Sequence, residues 1–247
     1  MMSMNQYEKK HVIEHSIMAS YSEGVMTKTT RYCGEIFKRF MNEGSVLELG
    51  PAEGVMTDFL FPYFEDYTVV DGADFFIDNI LEKHPSIKGY SCLFEDFSTE
   101  RKFDNIILGH VLEHVSEPTS ILRMCYGWLA ESGRILAAVP NSSSIHRQAA
   151  VKMGLLEYEK QLNEPDKKNG HRRVYDMDEL KEVFVSSGFS IVKSGGYWLK
   201  PLSNGQINEY WNDKMIDAFL SLGEQYIDIA GEIYIVASKG TIGVEDM

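Results

Sequence analysis

The chain has little cysteine, little positive charge and no long apolar run, and each shortage removes a class of protein. Its three cysteines, Cys33, Cys92 and Cys125, are widely spaced and form no Cys-x-x-Cys pair. That argues against a disulfide framework and a thiolate zinc site, and leaves them as small buried apolar residues. Lysine and arginine total 24 against 37 aspartates and glutamates, a formal net charge of −13. With no basic run to compensate, the field of the chain repels phosphate backbones, so nucleic acid is not the expected substrate. No stretch reaches the roughly 18 apolar residues of a membrane span, and the opening residues, Met1 to Lys10, hold no apolar signal core. No membrane partner and a cytoplasmic location are therefore expected. Internal repeats and low-complexity tracts are also missing.

What is present reads as one α/β domain with additions, a size that 247 residues support. Short apolar runs at 45–49, 67–70, 87–92, 103–108 and 134–139 alternate with helical patterns at 55–64, 74–83 and 117–129. This alternation predicts a mostly parallel sheet with crossover helices on both faces. Ser116-Glu-Pro118 marks a helix start, and Glu131-Ser-Gly133 a turn before the next strand. Residues 1–42 read as an N-terminal helical cap, with Ile13, Ile17 and Tyr21 on one face and Ile36, Phe37 and Phe40 on a later one. Residues 141–175 are polar and interrupted, as an inserted lid or substrate wall would be. A helix over 178–187, strands at 189–192 and 232–238, and a long aromatic-rich connection over 197–231 follow, with a helical pattern at 212–226 and a loose tail after residue 240. The connection is expected to close a pocket or to form a homodimer contact.

The most informative stretch is Val46-Leu-Glu-Leu-Gly-Pro-Ala-Glu-Gly54, an apolar strand ending in an acid and a tight Gly-x-x-x-Gly turn. Glycine at positions 50 and 54 lets the chain turn sharply and approach a ligand with no Cβ in the way. Asp71 ends the next apolar run, Tyr67-Thr-Val-Val, where a carboxylate can accept both hydroxyls of a ribose. Together these suggest an adenosine-containing ligand. A dinucleotide fingerprint would need glycine at 50, 52 and 55, but the chain has Ala52 and Val55. It therefore lacks the close backbone approach that a pyrophosphate requires, and adenosine without phosphate fits better.

These residues resemble the class I S-adenosylmethionine-dependent methyltransferases. Glu48, Gly50, Ala52 and Gly54 match the family's first motif, an acid two residues before Gly-x-Gly-x-Gly, with alanine replacing the middle glycine. Cys92-Leu-Phe-Glu-Asp-Phe97 is similar to the adenine-contact loop, and Phe103 to Val115 to the fourth strand with its Leu-Glu-His loop. The likeness is close over residues 43–140 and resumes at Gly170-His-Arg-Arg-Val-Tyr175. It implies a Rossmann-like seven-stranded sheet, with 43–140 as the cofactor core and 176–240 carrying a helix, an antiparallel pair of edge strands and the substrate-side connection. It also implies methyl transfer from S-adenosyl-L-methionine to an O or N atom of a small polar metabolite, leaving S-adenosyl-L-homocysteine.

By the same resemblance, Gly50, Pro51 and Gly54 hold the methionine end of the donor, with Glu48 oriented toward its amino group. Asp71 and Gly72 serve the ribose. Phe94 with Glu95 or Asp96 serves the adenine edge, and His110 lies beside the sulfonium. His114 points to the acceptor, as a base or as a hydrogen-bonded residue shaping the pocket. His171, Arg172 and Tyr175 form a second polar cluster facing the substrate; His171 joins His114 as a catalytic candidate, and Arg172 or Arg173 could hold an acidic acceptor group bidentately. Tyr7, Tyr21, His146, Arg147, Tyr197 and Trp198 are further candidate walls.

Two rival readings remain. One is a protein that binds S-adenosylmethionine without catalysis and serves as an interaction subunit. The other is a metallohydrolase, because His110-Val-Leu-Glu113-His114 matches the His-x-x-Glu-His pattern. That pattern needs one helix to bring both histidines to a common face. Here the strand ends near Leu108 and the next helix starts after Ser116, and the sequence identifies no further ligand, so no metal is expected.

Overall fold

The protein is described by a computed structural model covering residues 4–18 and 22–240, with side chains placed for residues 8–16 and 22–240. Its seven strands are β1 (Ser45–Leu49), β2 (Asp66–Asp71), β3 (Lys88–Ser91), β4 (Phe103–Gly109), β5 (Leu129–Pro140), β6 (Phe189–Tyr197) and β7 (Glu232–Lys239). They form one sheet in the order β3-β2-β1-β4-β5-β7-β6. The first five run parallel, while β7 lies antiparallel between β5 and β6.

Successive strand residues point to opposite faces, and both faces are covered, which is why these strands read as continuous apolar runs. Leu47, Ile106, Ile135 and Ile235 enter one core cluster, whereas Val46, Ile107, Leu136 and Val236 enter the other. The first face is covered by α5 (Pro118–Trp128), through Ile121, Leu122, Cys125 and Trp128, and by α8 (Met177–Ser186), through Leu180 and Phe184. The second is covered by α2 (Gly24–Lys38), α3 (Val55–Leu60), α4 (Asp74–Lys83) and α10 (Asp213–Leu222). The N-terminal segment thus divides. α2 buries Cys33, Ile36 and Phe37 in the core, and α1 (Met4–Met18) lies over the carboxyl edge of the sheet, with Val12 against Gly72.

Several boundaries differ from the sequence expectation. β5 starts at Leu129 rather than 134, because Phe103 pairs with Leu129 and Asn105 with Arg134, so the expected Glu131-Ser-Gly133 turn is absorbed as an irregularity within the strand. β6 continues past residue 192 to Tyr197 by pairing with β7. The helical pattern of 212–226 stops at Leu222, preceded by a separate helix, α9 (Asn204–Tyr210). Segment 141–175 holds only α6 (Ile145–Lys152) and the five-residue α7 (Glu164–Lys168). Cys92 is half-buried rather than buried. Among the described residues no helix is long and apolar enough to cross a membrane.

Because β7 runs backwards, its first residue, Glu232, pairs with Pro140 at the end of β5. One edge of the sheet therefore gathers the carboxyl ends of the parallel strands and the start of β7, and open α/β sheets bind ligands at this edge.

Candidate active site

The turn after β1 is tightly built. Gly50 donates to Val70 O at 2.8 Å and has φ 66°, and a Cβ there would meet Val111 Cγ2 at 2.8 Å. Gly54, at φ 80°, caps α3. Between them Ala52 takes φ 48°, a left-handed conformation that costs an L-residue energy and that glycine adopts freely. Asp71 ties this turn to the next, accepting from Ala73 N at 2.8 Å and from Ala52 N at 3.4 Å. Burial lifts its carboxyl to about 6 despite these bonds. Asp71 thus caps its own turn while still facing the groove.

Glu48 is buried, and its Oε2 accepts from both Thr57 Oγ1 and Tyr67 OH, each at 2.7 Å. Burial pushes its carboxyl up to about 7, with the two hydroxyls pulling the other way.

Two cavities open along the edge and share Gly50, Ala52 and His114 as walls. The smaller, about 130 Å³, lies between Asp71, Gly72, Phe94 and Glu95 and is roofed by Glu8, Val12 and Ser16 of α1. The larger, about 480 Å³, is bounded by Glu48, Pro51, His110 and Glu113 on the sheet side. His146, Asp166 and His171 of segment 141–175, with Lys200 and Glu232, complete it. A groove with an apolar slot and carboxylate at one end, and a buried acid at the other, suits a ligand with an adenosine and a cationic amine.

The larger cavity is lined by an acid–histidine cluster. His110, with φ 59°, bonds Tyr197 OH through Nε2 at 3.0 Å and brings Nδ1 to 3.5 Å from Glu113 and 3.8 Å from Glu232. His114 Nε2 stands 4.0 Å from Glu113, and its ring meets that of His171 edge to face at 4.8 Å. His171 Nδ1 lies 3.4 Å from Asp166, whose other oxygen accepts from Arg147 at 3.0 Å. Burial opposes charge on both His110 and Glu113, yet their mutual attraction wins, raising the imidazole and lowering the carboxyl. For His114 burial prevails and pushes it down to about 4. Burial works against an ionised Asp166 too, but His171, Asn163 and Arg147 hold it at about 2.

The second polar cluster is placed differently from the sequence expectation. His171 enters the larger cavity, but Arg172 turns away and donates to Glu8 at 2.7 Å. Arg173 is spent on the carbonyls of Leu112, Val115 and Ser116. Tyr175 is buried beneath the same loop with its hydroxyl on Leu112 O at 3.3 Å, so it supports the loop and lines neither cavity. Trp198 is buried in the core. Tyr21 and the side chain of Tyr7 lie outside the described residues. Residues 110–114 form turns and no helix, so the zinc-peptidase geometry is not met. Sequence reasoning missed Asp166, Lys200 and Glu232 as cavity residues. The available signal for Glu232 was an acid opening an apolar strand, which reaches the site only because that strand is antiparallel.

A family model for the methyltransferase domain matches residues 19–194. The chain belongs to this family and is an S-adenosylmethionine-dependent methyltransferase of Rossmann-like fold. No curated protein matches it. Among solved structures it is similar to an S-adenosylmethionine-dependent methyltransferase of Thermotoga maritima, with TM-score 0.61 and 14% identity, covering 86% of this chain and 91% of that one. The plantazolicin methyltransferase BpumL, in complex with a triazolic desmethylPZN analog and S-adenosylhomocysteine, gives 0.59 and 14% over 96% and 100%. The N-methyltransferase NodS from Bradyrhizobium japonicum WM9, also holding S-adenosylhomocysteine, gives 0.54 and 14% over 87% and 85%. At such identities the likeness is one of fold.

Proposed function

We propose that the protein methylates an oxygen or nitrogen of a small polar molecule held in the larger cavity. The observation that carries this reading is the walled cleft itself. Segment 141–175 and the start of β7 wall the space beside His114, and 480 Å³, shared with the donor's methionine end at Glu48, leaves room for a metabolite rather than a polymer. In this reading the smaller cavity takes the adenosine, with Asp71 on the ribose and Phe94 and Glu95 at the adenine edge. Glu48 faces the donor's amino group, and segment 141–175 is the lid. The donor supplies an electrophilic methyl group, so the chain's work is to align it with the acceptor and manage one proton. His114 lines both cavities and His171 packs against it in the larger one, and we assign that task to them. The net charge of −13 supports a non-nucleic acceptor.

The test has two stages. Calorimetric titration with S-adenosylmethionine, S-adenosylhomocysteine and NAD should show saturable binding of the first two, silence with NAD and weakening in Asp71→Ala. Donor carrying a labelled methyl group is then incubated with fractionated cell extract. Label recovered in the small-molecule fraction supports the reading, and label recovered only in protein or RNA overturns it.

A further inference from the structure

Glu113 is fully buried on the wall of the larger cavity, and neither of its carboxylate oxygens has a hydrogen-bond partner among the described residues. His110 Nδ1 opposes its charge from 3.5 Å without forming a hydrogen bond, and a buried carboxylate stays unfavourable until its oxygens are bonded as well as its charge met. One ligand atom from each of Glu113, His114 and His171 lies within 4.8 Å of those of the other two. Around a single divalent ion, with bonds of about 2.0–2.2 Å, such atoms stand roughly 3–3.5 Å apart, so small side-chain rotations close the set. We propose that Glu113, His114 and His171 bind one divalent transition-metal cation whose open positions face the cavity and take the acceptor's oxygen.

The surroundings are those of a metal site. Ligating histidines usually turn their second nitrogen to a carboxylate, and His171 Nδ1 faces Asp166 at 3.4 Å, an ion-pair distance with no hydrogen bond yet formed, leaving Nε2 as the ligand. Arg147 in turn holds Asp166. The backbone ties the two ligand segments together, Arg172 N donating to Glu113 O at 2.8 Å, and the Arg173 guanidinium grips the carbonyls on either side of His114. Two histidines and one carboxylate leave coordination positions free and favour zinc, manganese, cobalt or iron over the oxygen-loving magnesium and calcium. The sequence expectation of no metal rested on the absence of a helix through 110–114 and of a third ligand. The fold supplies that ligand from residue 171.

This inference rests on the methyl-transfer reading, narrows it to an oxygen acceptor, and has His114 and His171 manage the proton through the cation they bind rather than as bases. A hydroxyl bound to the cation releases its proton to solvent and keeps lone pairs for attack, whereas an amine would spend its only pair on the metal. In the balanced step the alkoxide or phenolate oxygen forms a bond to the methyl carbon as the carbon–sulfur bond breaks. The electron pair goes to sulfur, giving methyl ether, S-adenosylhomocysteine and one released proton.

Chelator-stripped protein is titrated with Co²⁺ alone and followed by its visible absorption. One cobalt per chain is expected, with Glu113→Gln and His171→Ala each weakening binding at least tenfold. His84→Ala, whose ring pairs with Asp58 away from the cavity, should leave it unchanged. Acetohydroxamate, a bidentate oxygen ligand, should shift the cobalt spectrum by occupying the open positions. Calorimetry with S-adenosylhomocysteine on each protein reports an intact donor site. No cobalt signal in wild type that binds S-adenosylhomocysteine overturns the cation site, as does equal cobalt binding in both site variants. A spectrum indifferent to acetohydroxamate overturns the acceptor role. Cobalt bound without any binding of S-adenosylhomocysteine would keep the site and sink the methyl-transfer reading instead.

Discussion

Arg172 donates to Glu8 across 2.7 Å, and this pair, with His15 Nδ1 at 2.9 Å from Lys168 O, fastens α1 to segment 141–175. Both partners are largely shielded, so the pair is worth about 1 kcal/mol, near the top of the range for exposed pairs. Since α1 roofs the smaller cavity, Arg172→Ala should release S-adenosylhomocysteine about fivefold faster, read by stopped-flow displacement. An unchanged release rate would mean that α1 does not govern exit.

Ala52 at φ 48° is strained where glycine would not be. Ala52→Gly should therefore stabilise the fold by about 0.5–1 kcal/mol after the added chain entropy, raising Tm by about 2 °C. A lower Tm in calorimetry would show that the left-handed turn is not costly.

Gly50→Ala places a methyl group 2.8 Å from Val111 Cγ2 at a left-handed φ. We expect a loss of about 3 kcal/mol. Adding Val111→Ala should give a double variant more stable than the sum of the singles by at least about 1 kcal/mol, because it removes the collision but not the backbone strain. Strict additivity in urea unfolding would be evidence against that collision.

The Glu48 carboxyl keeps its proton up to about 7 in the folded chain, mainly through burial, against an ordinary 4.5. Between these values the folded state holds a proton that the unfolded state has lost. Stability therefore falls as pH rises from 4.5 to 7, by about 2–4 kcal/mol from this group. Glu48→Gln should flatten that part of the profile and be more stable than wild type at pH 8, while binding S-adenosylmethionine about tenfold less tightly. Parallel wild-type and variant stability curves over pH 5–8 would contradict this account.

The parallel strands were legible because burial on both faces leaves an uninterrupted apolar run, as at Val46 to Leu49 and Phe103 to Leu108. The Gly50 to Gly54 turn and Asp71 were legible because only a few residues serve such backbone geometry. What sequence could not convey was which polar groups the chain consumes itself. Arg172, Arg173 and Tyr175 look like acceptor contacts, but each is engaged with Glu8 or with the carbonyls of loop 112–116. Nor does spacing reveal that His171 reaches Glu113, since that meeting depends on how segment 141–175 folds back across the edge. Glu232 is hidden in the same way, because an antiparallel edge pair is expected but not that β7, rather than β6, lies against β5.

That strand also sets an order of assembly. During synthesis β5 and β6 emerge before β7, yet β7 must lie between them. Until it arrives, both present bare hydrogen-bonding edges that invite pairing with other chains. A nascent chain paused near residue 231 is therefore the species most in need of chaperone cover, and it also lacks Glu232 for its cavity.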